Sequence, residues 1–237
     1  MIGVIGLDAA SGSAETGGKA AALARLIKGG FNIPAGFVVM KPDNNAILQQ
    51  FDQLDSAKVA IRSSAAAEDG AKDAWAGQLD TYLNVSRDHL LEKIQECFES
   101  ANSDRAQAYA KQKGIQAGKV AVIIQKMVPA DVSGVAFSAH PVTNDRSQLV
   151  IEAVSGLGEK LVSGTATPNT YLVNKDNKNI VEKYLAGDPD LSEQQINEVA
   201  EAVIKIEKLF GFPVDVEWAI SGQELFILQS RPITTME

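Results

Sequence analysis

Two short segments near the end of the chain carry residue types that can do chemistry: Asp215-Val216-Glu217 and Gln229-Ser230-Arg231. Each alternates polar and apolar side chains, and the Ser221-Gly222 turn lies between them. Residues at i and i+2 of a strand share a face of the sheet. A three-residue loop at Gly222-Gln223-Glu224 would set Glu217 opposite Gln229 and Asp215 opposite Arg231. The other face would carry Val214, Val216, Trp218, Ile220, Phe226 and Leu228. A one-residue slip would divide the polar set between faces, so an apolar core on the other side holds the register. Carboxylates, an amide oxygen and a guanidinium on one rigid surface suit Mg²⁺ and a polyphosphate. Taken alone, a solvated amphipathic hairpin accounts for the same pattern.

Weaker signals lie upstream. Gly17-Gly18-Lys19 opens a helical stripe of Ala20, Leu23, Ala24 and Ile27. Glycines permit close backbone approach to phosphate, a helix start favours negative charge, and a lysine can reach an outer phosphate. The spacing is not that of a Walker loop, and a loop–helix joint with a surface lysine explains it equally. Val59-Ala60-Ile61 is a short apolar strand ending at Arg62, with Ser63 and Ser64 beyond. A guanidinium fixed there can clamp phosphoryl oxygens, or it can be a rim salt bridge. His89 and His140 have no metal-ligand spacing and no nucleophile elbow beside them, which removes support for a zinc site or a hydrolase triad.

These residues need elements to position them. Periodicity predicts strands at 37–39, 59–61, 79–85, 120–127, 132–138, 149–153, 170–173 and 179–184. It predicts helices near 19–28, 45–54, 87–100, 104–113 and 193–209, the last capped by Ser192. Residues 63–78 read as a loop of small and acidic residues. Helices dominate the first half and strands the second, which argues for an α+β fold of two lobes, 1–117 and 118–237. At 237 residues, with 45% apolar and 22% charged side chains, the chain has the composition of an ordinary globular protein. Its formal charge of −8 disfavours nucleic acid and anionic membrane as partners. Cys97 is the one cysteine and fits a buried position. No leader and no membrane-length apolar run is evident, so a cytoplasmic location is expected.

In order along the chain, these segments resemble the nucleotide-binding domain of one ATP-grasp family, that of phosphoenolpyruvate synthase, pyruvate phosphate dikinase and rifampin phosphotransferase. The resemblance rests on Gly17-Gly18-Lys19 with Ile33-Pro34-Ala35-Gly36-Phe37-Val38, and on Ile61 to Asp69 with Ala76-Gly77-Gln78-Leu79-Asp80-Thr81. It continues through Gln125-Lys126-Met127-Val128, Asp131 to Ser138, and Gly156-Leu157-Gly158-Glu159. Asp215 to Ala219 and Gln229 to Thr234 complete it. Several positions depart from the family pattern: Ala66 replaces a threonine, Gly70-Ala71 a Leu-Pro pair, and Ala74 a serine. The stretch between Phe37 and Val59 is also short.

The resemblance implies a two-lobed ATP-grasp fold with a strand-rich second lobe. It implies an ATP-dependent, dikinase-like phosphotransferase that uses ATP and Mg²⁺. Lys19 and Arg62 become phosphate contacts, Gly77 and Thr81 lie at the phosphate-covering loop, and Gln125 lies by the adenine strand. Glu217 and Gln229 become the metal-binding pair, with Asp215 and Arg231 assisting at the phosphates. Lys19, Arg62 and Arg231 are the expected catalytic groups. Nothing in the chain resembles the family's histidine-bearing swivelling domain or its pyruvate-binding barrel. The phosphoryl or pyrophosphoryl group would therefore pass to a separate phosphohistidine protein or a small molecule. A non-catalytic ATP-binding regulatory or assembly module is the alternative, and an inert relic kept for protein contacts is a third.

Overall fold

The computed structural model describes residues 3–65, 81–100, 120–158, 161, 164–234 and 236. The chain divides into two compact units, Met1–Lys28 with Pro34–Met127, and Gly29–Ile33 with Val128–Glu237.

The first unit contains a five-stranded antiparallel sheet in the order β1-β2-β5-β3-β4. Its strands are β1 (Val4–Gly6), β2 (Gly36–Val39), β3 (Val59–Ala65), β4 (Thr81–Val85) and β5 (Val120–Lys126). The short α1 (Ser13–Thr16) leads into α2 (Gly18–Lys28), and α3 (Asn44–Gln53) and α4 (Leu90–Ser100) follow. Odd-numbered residues of β2 and β3 (Phe37, Val39, Val59, Ile61) and even-numbered ones of β5 (Val122, Ile124) share a face. That face forms one core with Ile47 and Phe51 of α3 and Leu90, Ile94 and Cys97 of α4. Cys97 is fully buried there, as expected. α3 starts where the Asp43 carboxylate accepts the Ala46 amide at 3.1 Å, satisfying one of the free donors of the first turn.

Two expectations change here. β3 runs on through Ala65 instead of stopping at Arg62, because Ser63, Ser64 and Ala65 pair with Val122, Ala121 and Val120 of β5. β5, which the sequence pattern assigned to the second lobe, pairs with β2 and β3, so the division falls after Met127 and not at 117/118. A continuous apolar strand carries no mark of which sheet it joins. The expected helix at 104–113 and most of the loop at 63–78 lie outside the described residues.

The second unit contains a six-stranded antiparallel sheet in the order β11-β10-β6-β7-β8-β9. The strands are β6 (Val132–Phe137), β7 (Gln148–Ser155), β8 (Asn169–Asn174), β9 (Ile180–Tyr184), β10 (Val214–Ser221) and β11 (Glu224–Pro232). α5 (Glu193–Phe210) packs on β10, β6 and β7. Its N-terminus is a full capping box: Ser192 accepts the Gln195 amide, and the Gln195 side chain accepts the Ser192 amide. Its stripe of Ile196, Val199, Val203 and Ile206 is fully buried, as are Ala136, Ile151, Tyr171, Val216 and Trp218 of the sheet. Trp218 stands opposite Gly134, where an added Cβ would lie 2.7 Å from the indole and 1.8 Å from the Glu152 carbonyl oxygen. The opposite face of the sheet is only half-covered at Val135, Phe137, Glu152, Thr170, Leu172 and Glu217. No helix among the described residues is long and apolar enough to cross a membrane.

Candidate functional site

In the second unit the terminal hairpin has the expected polar pairs, Asp215 opposite Arg231 and Glu217 opposite Gln229. The route to that register differs from the expected one. The turn is tighter: Ser221 pairs with Glu224, so only Gly222, at φ 60°, and Gln223 are unpaired. A bulge between Glu217 and Trp218 then absorbs one extra residue of β11. A two-residue turn plus a one-residue bulge restores the offset of a three-residue loop. Between turn and bulge the faces change. Ile227 stands opposite Trp218 and is buried, whereas Phe226 and Leu228, expected in the core, are half-buried.

The Arg231 guanidinium converges on one oxygen, with Nε 2.8 Å and Nη2 2.7 Å from Asp215 Oδ2. Asp215 is 6% exposed. Burial pushes its carboxyl above the usual range, Arg231 draws it back, and Glu217 pushes it up again. Gln229 is also 6% exposed, while Glu217 is the half-exposed member of the set. A rigid donor fork, two carboxylates and an amide thus share one patch of β-sheet.

The same face holds a third carboxylate that residue patterns did not single out. Gln229, Glu217, Val135, Glu152 and Thr170 are successive partners across β11, β10, β6, β7 and β8. Burial raises the Glu152 pKa, and the charge of Asp215 adds to the effect. The available signal was one acidic residue inside the apolar run from Leu149 to Val154. Its alignment with Glu217 depends on two strand registers that no local pattern encodes.

In the first unit, Arg62 of β3 stands opposite Thr81 of β4, and Gln125 of β5 opposite Ala60 of β3. By the two-residue period, Arg62, Thr81 and Gln125 share the face that Ser64 presents to α2. Ser64 is fully buried and accepts the Ala20 amide at 3.2 Å, capping α2 from a distant strand. Its hydroxyl is therefore a structural clamp. The Lys19 ammonium lies 3.5 Å from the Ser63 carbonyl oxygen. Gly17 makes this docking possible, having φ 80° and a hypothetical Cβ only 2.2 Å from Ser64 Oγ. Gln125 is 3% exposed, and among the described residues its side-chain nitrogen has no hydrogen-bond partner. Its neighbour Gly36 leaves space, since a Cβ there would lie 3.1 Å from Gln125 Cγ. A buried amide donor without a partner calls for an acceptor from outside. Gly77 lies outside the described residues.

The described residues thus form one set in each unit: Lys19, Arg62, Thr81 and Gln125, and Asp215, Glu217, Gln229 and Arg231. The first offers cations and amide or hydroxyl donors, and the second offers oxygen ligands and a guanidinium.

A family model described as pyruvate phosphate dikinase, AMP/ATP-binding domain, matches residues 44–189 and 181–237. The chain is 39% identical over 225 residues to the probable phosphoenolpyruvate synthase of Methanocaldococcus jannaschii, covering 81% of this chain and 19% of that protein. It is 40% identical over 209 residues to the rifampicin phosphotransferase of Bacillus cereus, covering 77% of this chain and 24% of that protein. The chain therefore spans about a fifth to a quarter of these relatives. Among solved structures, D-alanine–D-alanine ligase from Bacillus anthracis complexed with ATP aligns at TM-score 0.50 and 10% identity. That alignment covers 94% of this chain and 55% of the ligase. At such low identity the likeness concerns the fold alone, and it bears out the ATP-grasp expectation.

Proposed function

Because this chain belongs to the pyruvate phosphate dikinase AMP/ATP-binding domain family, we propose that it binds Mg-ATP and passes a phosphoryl or pyrophosphoryl group toward a separate acceptor. The observation that carries this reading is the hairpin register, which puts Asp215 and Glu217 across from Arg231 and Gln229. Phosphoryl transfer needs mainly positioning and charge neutralisation, for which such a surface is suited.

The donor set fits Mg²⁺. Glu217 and Gln229 offer one carboxylate and one amide oxygen. Among the described residues no group of three or more His, Cys, Asp or Glu could hold an ion unaided. Mg²⁺ is commonly held by one or two carboxylates, with substrate phosphates and water completing its shell. When bound, the ion supplies charge neutralisation at the phosphates.

Arg231, aligned by Asp215, contacts a phosphate oxygen. Lys19 and Arg62 contact phosphate oxygens from the first unit, with Thr81 and Gly77 at the covering loop. Gln125 donates its unpartnered amide hydrogen to an adenine ring nitrogen. The acceptor is a phosphohistidine-bearing protein or a small-molecule hydroxyl, in keeping with the phosphotransferase names of the relatives.

Titration calorimetry with Mg-ATP tests the binding step. The wild-type chain is expected to bind, and Glu217→Ala to weaken binding by about a hundredfold. Absence of binding by the wild type, or unaltered affinity in the variant, overturns the reading. Labelled ATP mixed with a histidine-bearing acceptor protein tests transfer through the appearance of label on that protein.

A further inference from the structure

The bulge beside Gln229 is gripped by residues that lie outside the hairpin. Asn32 is part of the segment Gly29–Ile33, which belongs to the second unit. Its backbone carbonyl accepts the Ile227 amide at 2.9 Å, and its side-chain amide donates to the Leu225 carbonyl at 3.1 Å. At the turn, the Asp131 carboxylate accepts the Gly222 amide at 2.7 Å, and the Ser221 hydroxyl donates to the Pro129 carbonyl at 2.9 Å. Neither Asn32 nor Asp131 belongs to the metal–phosphate set.

Two registers of this hairpin place Glu217 opposite Gln229. In a straight ladder with a three-residue loop, Ser221 would face Leu225 and Ala219 would face Ile227. In the observed register Ile220 faces Leu225, Trp218 faces Ile227, and Leu228 is the extra residue before Gln229. Successive residues of an antiparallel strand turn their backbone groups to opposite sides. The Ile220 carbonyl accepts the Asp131 amide, so Ile220 and Trp218 turn toward β6, and Ser221 and Ala219 turn toward β11. Leu225 and Ile227 therefore point their backbone groups outward, where Asn32 engages one group of each. In the straight ladder Ile227 would bond Ala219 instead, and Asn32 would lose both contacts. The Asn32 contacts thus fit the bulged register and exclude the straight one. A bulge bends and twists its strand and re-aims neighbouring side chains. Here those neighbours are Glu217 and Gln229.

We propose that Asn32 is a positioning residue for the metal pair: by holding the bulge at Leu228 it aims the Glu217 carboxylate and the Gln229 amide oxygen at one ion. This assignment rests on the Mg-ATP binding proposed above. Asn32 acts through the backbone of β11 and makes no contact with ion or nucleotide.

Two measurements on the full chain test it. Amide hydrogen exchange reads the clamp without any ligand. Asn32→Ala deletes the side-chain bond and should speed exchange at the Ile227 amide by roughly fivefold, the worth of one hydrogen bond. Calorimetry with ATP over a series of Mg²⁺ concentrations reads the metal pair. Asn32→Ala should need about tenfold more Mg²⁺ for half-maximal ATP binding, with wild-type affinity restored at saturating Mg²⁺. Asn32→Asp sets a carboxylate against the Leu225 carbonyl and should need more Mg²⁺ again. Wild-type Mg²⁺ dependence in both variants, or unaltered exchange at Ile227, overturns the proposal alone. So does a loss of ATP affinity by the same factor at every Mg²⁺ concentration, because Asn32 would then support the fold generally. A wild type that binds no ATP, or binds it indifferently to Mg²⁺, overturns the Mg-ATP reading itself and this assignment with it.

Discussion

The two candidate sets are held in place by opposite means. Asp215, Glu217, Gln229 and Arg231 belong to one hairpin whose ladder spaces them. Lys19 and Ser63, the residue after Arg62, are 44 positions apart in the sequence and meet only because the start of α2 docks on the end of β3. In the hairpin, a local error is absorbed by a bulge and the functional pairs survive. At the helix–strand joint there is no such latitude, because a Cβ at Gly17 would lie only 2.2 Å from Ser64 Oγ and 2.3 Å from the Ser64 carbonyl oxygen. A ladder tolerates variation near its turn, whereas a single-point docking depends on one small residue.

The contrast fails or survives first at Gly17. Gly17→Ala combines a positive φ with a Cβ 2.2 Å from Ser64 Oγ. It is expected to lower stability by about 3 kcal/mol, read as an earlier urea midpoint. An unchanged midpoint would mean that α2 is not pinned at this point.

Arg231→Met probes the hairpin. It leaves Asp215 buried and without its guanidinium, at an expected cost of about 2–3 kcal/mol at neutral pH. Most of that loss should be recovered in the double variant that adds Asp215→Asn. If Arg231→Met alone is neutral, solvent already reaches Asp215 and the ladder is looser than described.

The smallest effect is expected at Glu152, and its sign is informative. Burial raises its pKa in the folded state. A raised carboxyl stabilises the fold below the unfolded value of about 4.3, and that contribution is lost as pH rises through the folded pKa. Glu152→Gln should therefore melt at a slightly higher temperature than wild type near pH 7, and the gain should vanish near pH 4. A variant less stable than wild type at pH 7 would mean that the ionised carboxylate has a favourable partner.

Much of the fold is visible in periodicity. α5 was expected at Glu193–Leu209 with Ser192 as its cap and spans Glu193–Phe210, because an amphipathic stripe and a capping box are both local signals. The same holds for most of the strands, whose described ends shift by a residue or two, with β3 the exception. What periodicity misplaced was membership: β5 looks like any buried strand, and only its pairing with β2 and β3 assigns it to the first sheet. The half-buried state of Phe226 and Leu228 was missed for a related reason. A bulge changes which residues face inward, and it leaves no compositional trace here.

The division follows the range of the interactions. Helix caps and helix stripes arise among residues close along the chain, and alternation alone puts Asp215, Glu217, Gln229 and Arg231 on one face, while their exact pairing depends on a turn and a bulge that cancel. Residue identity also carries the family likeness. Glu152 in line with Glu217, Ser64 capping α2, and Gln125 buried beside Gly36 all need partners from other strands or helices. Those contacts exist only after the sheets close, because strand order and long-range docking depend on how whole apolar faces pack and not on any single stretch of residues.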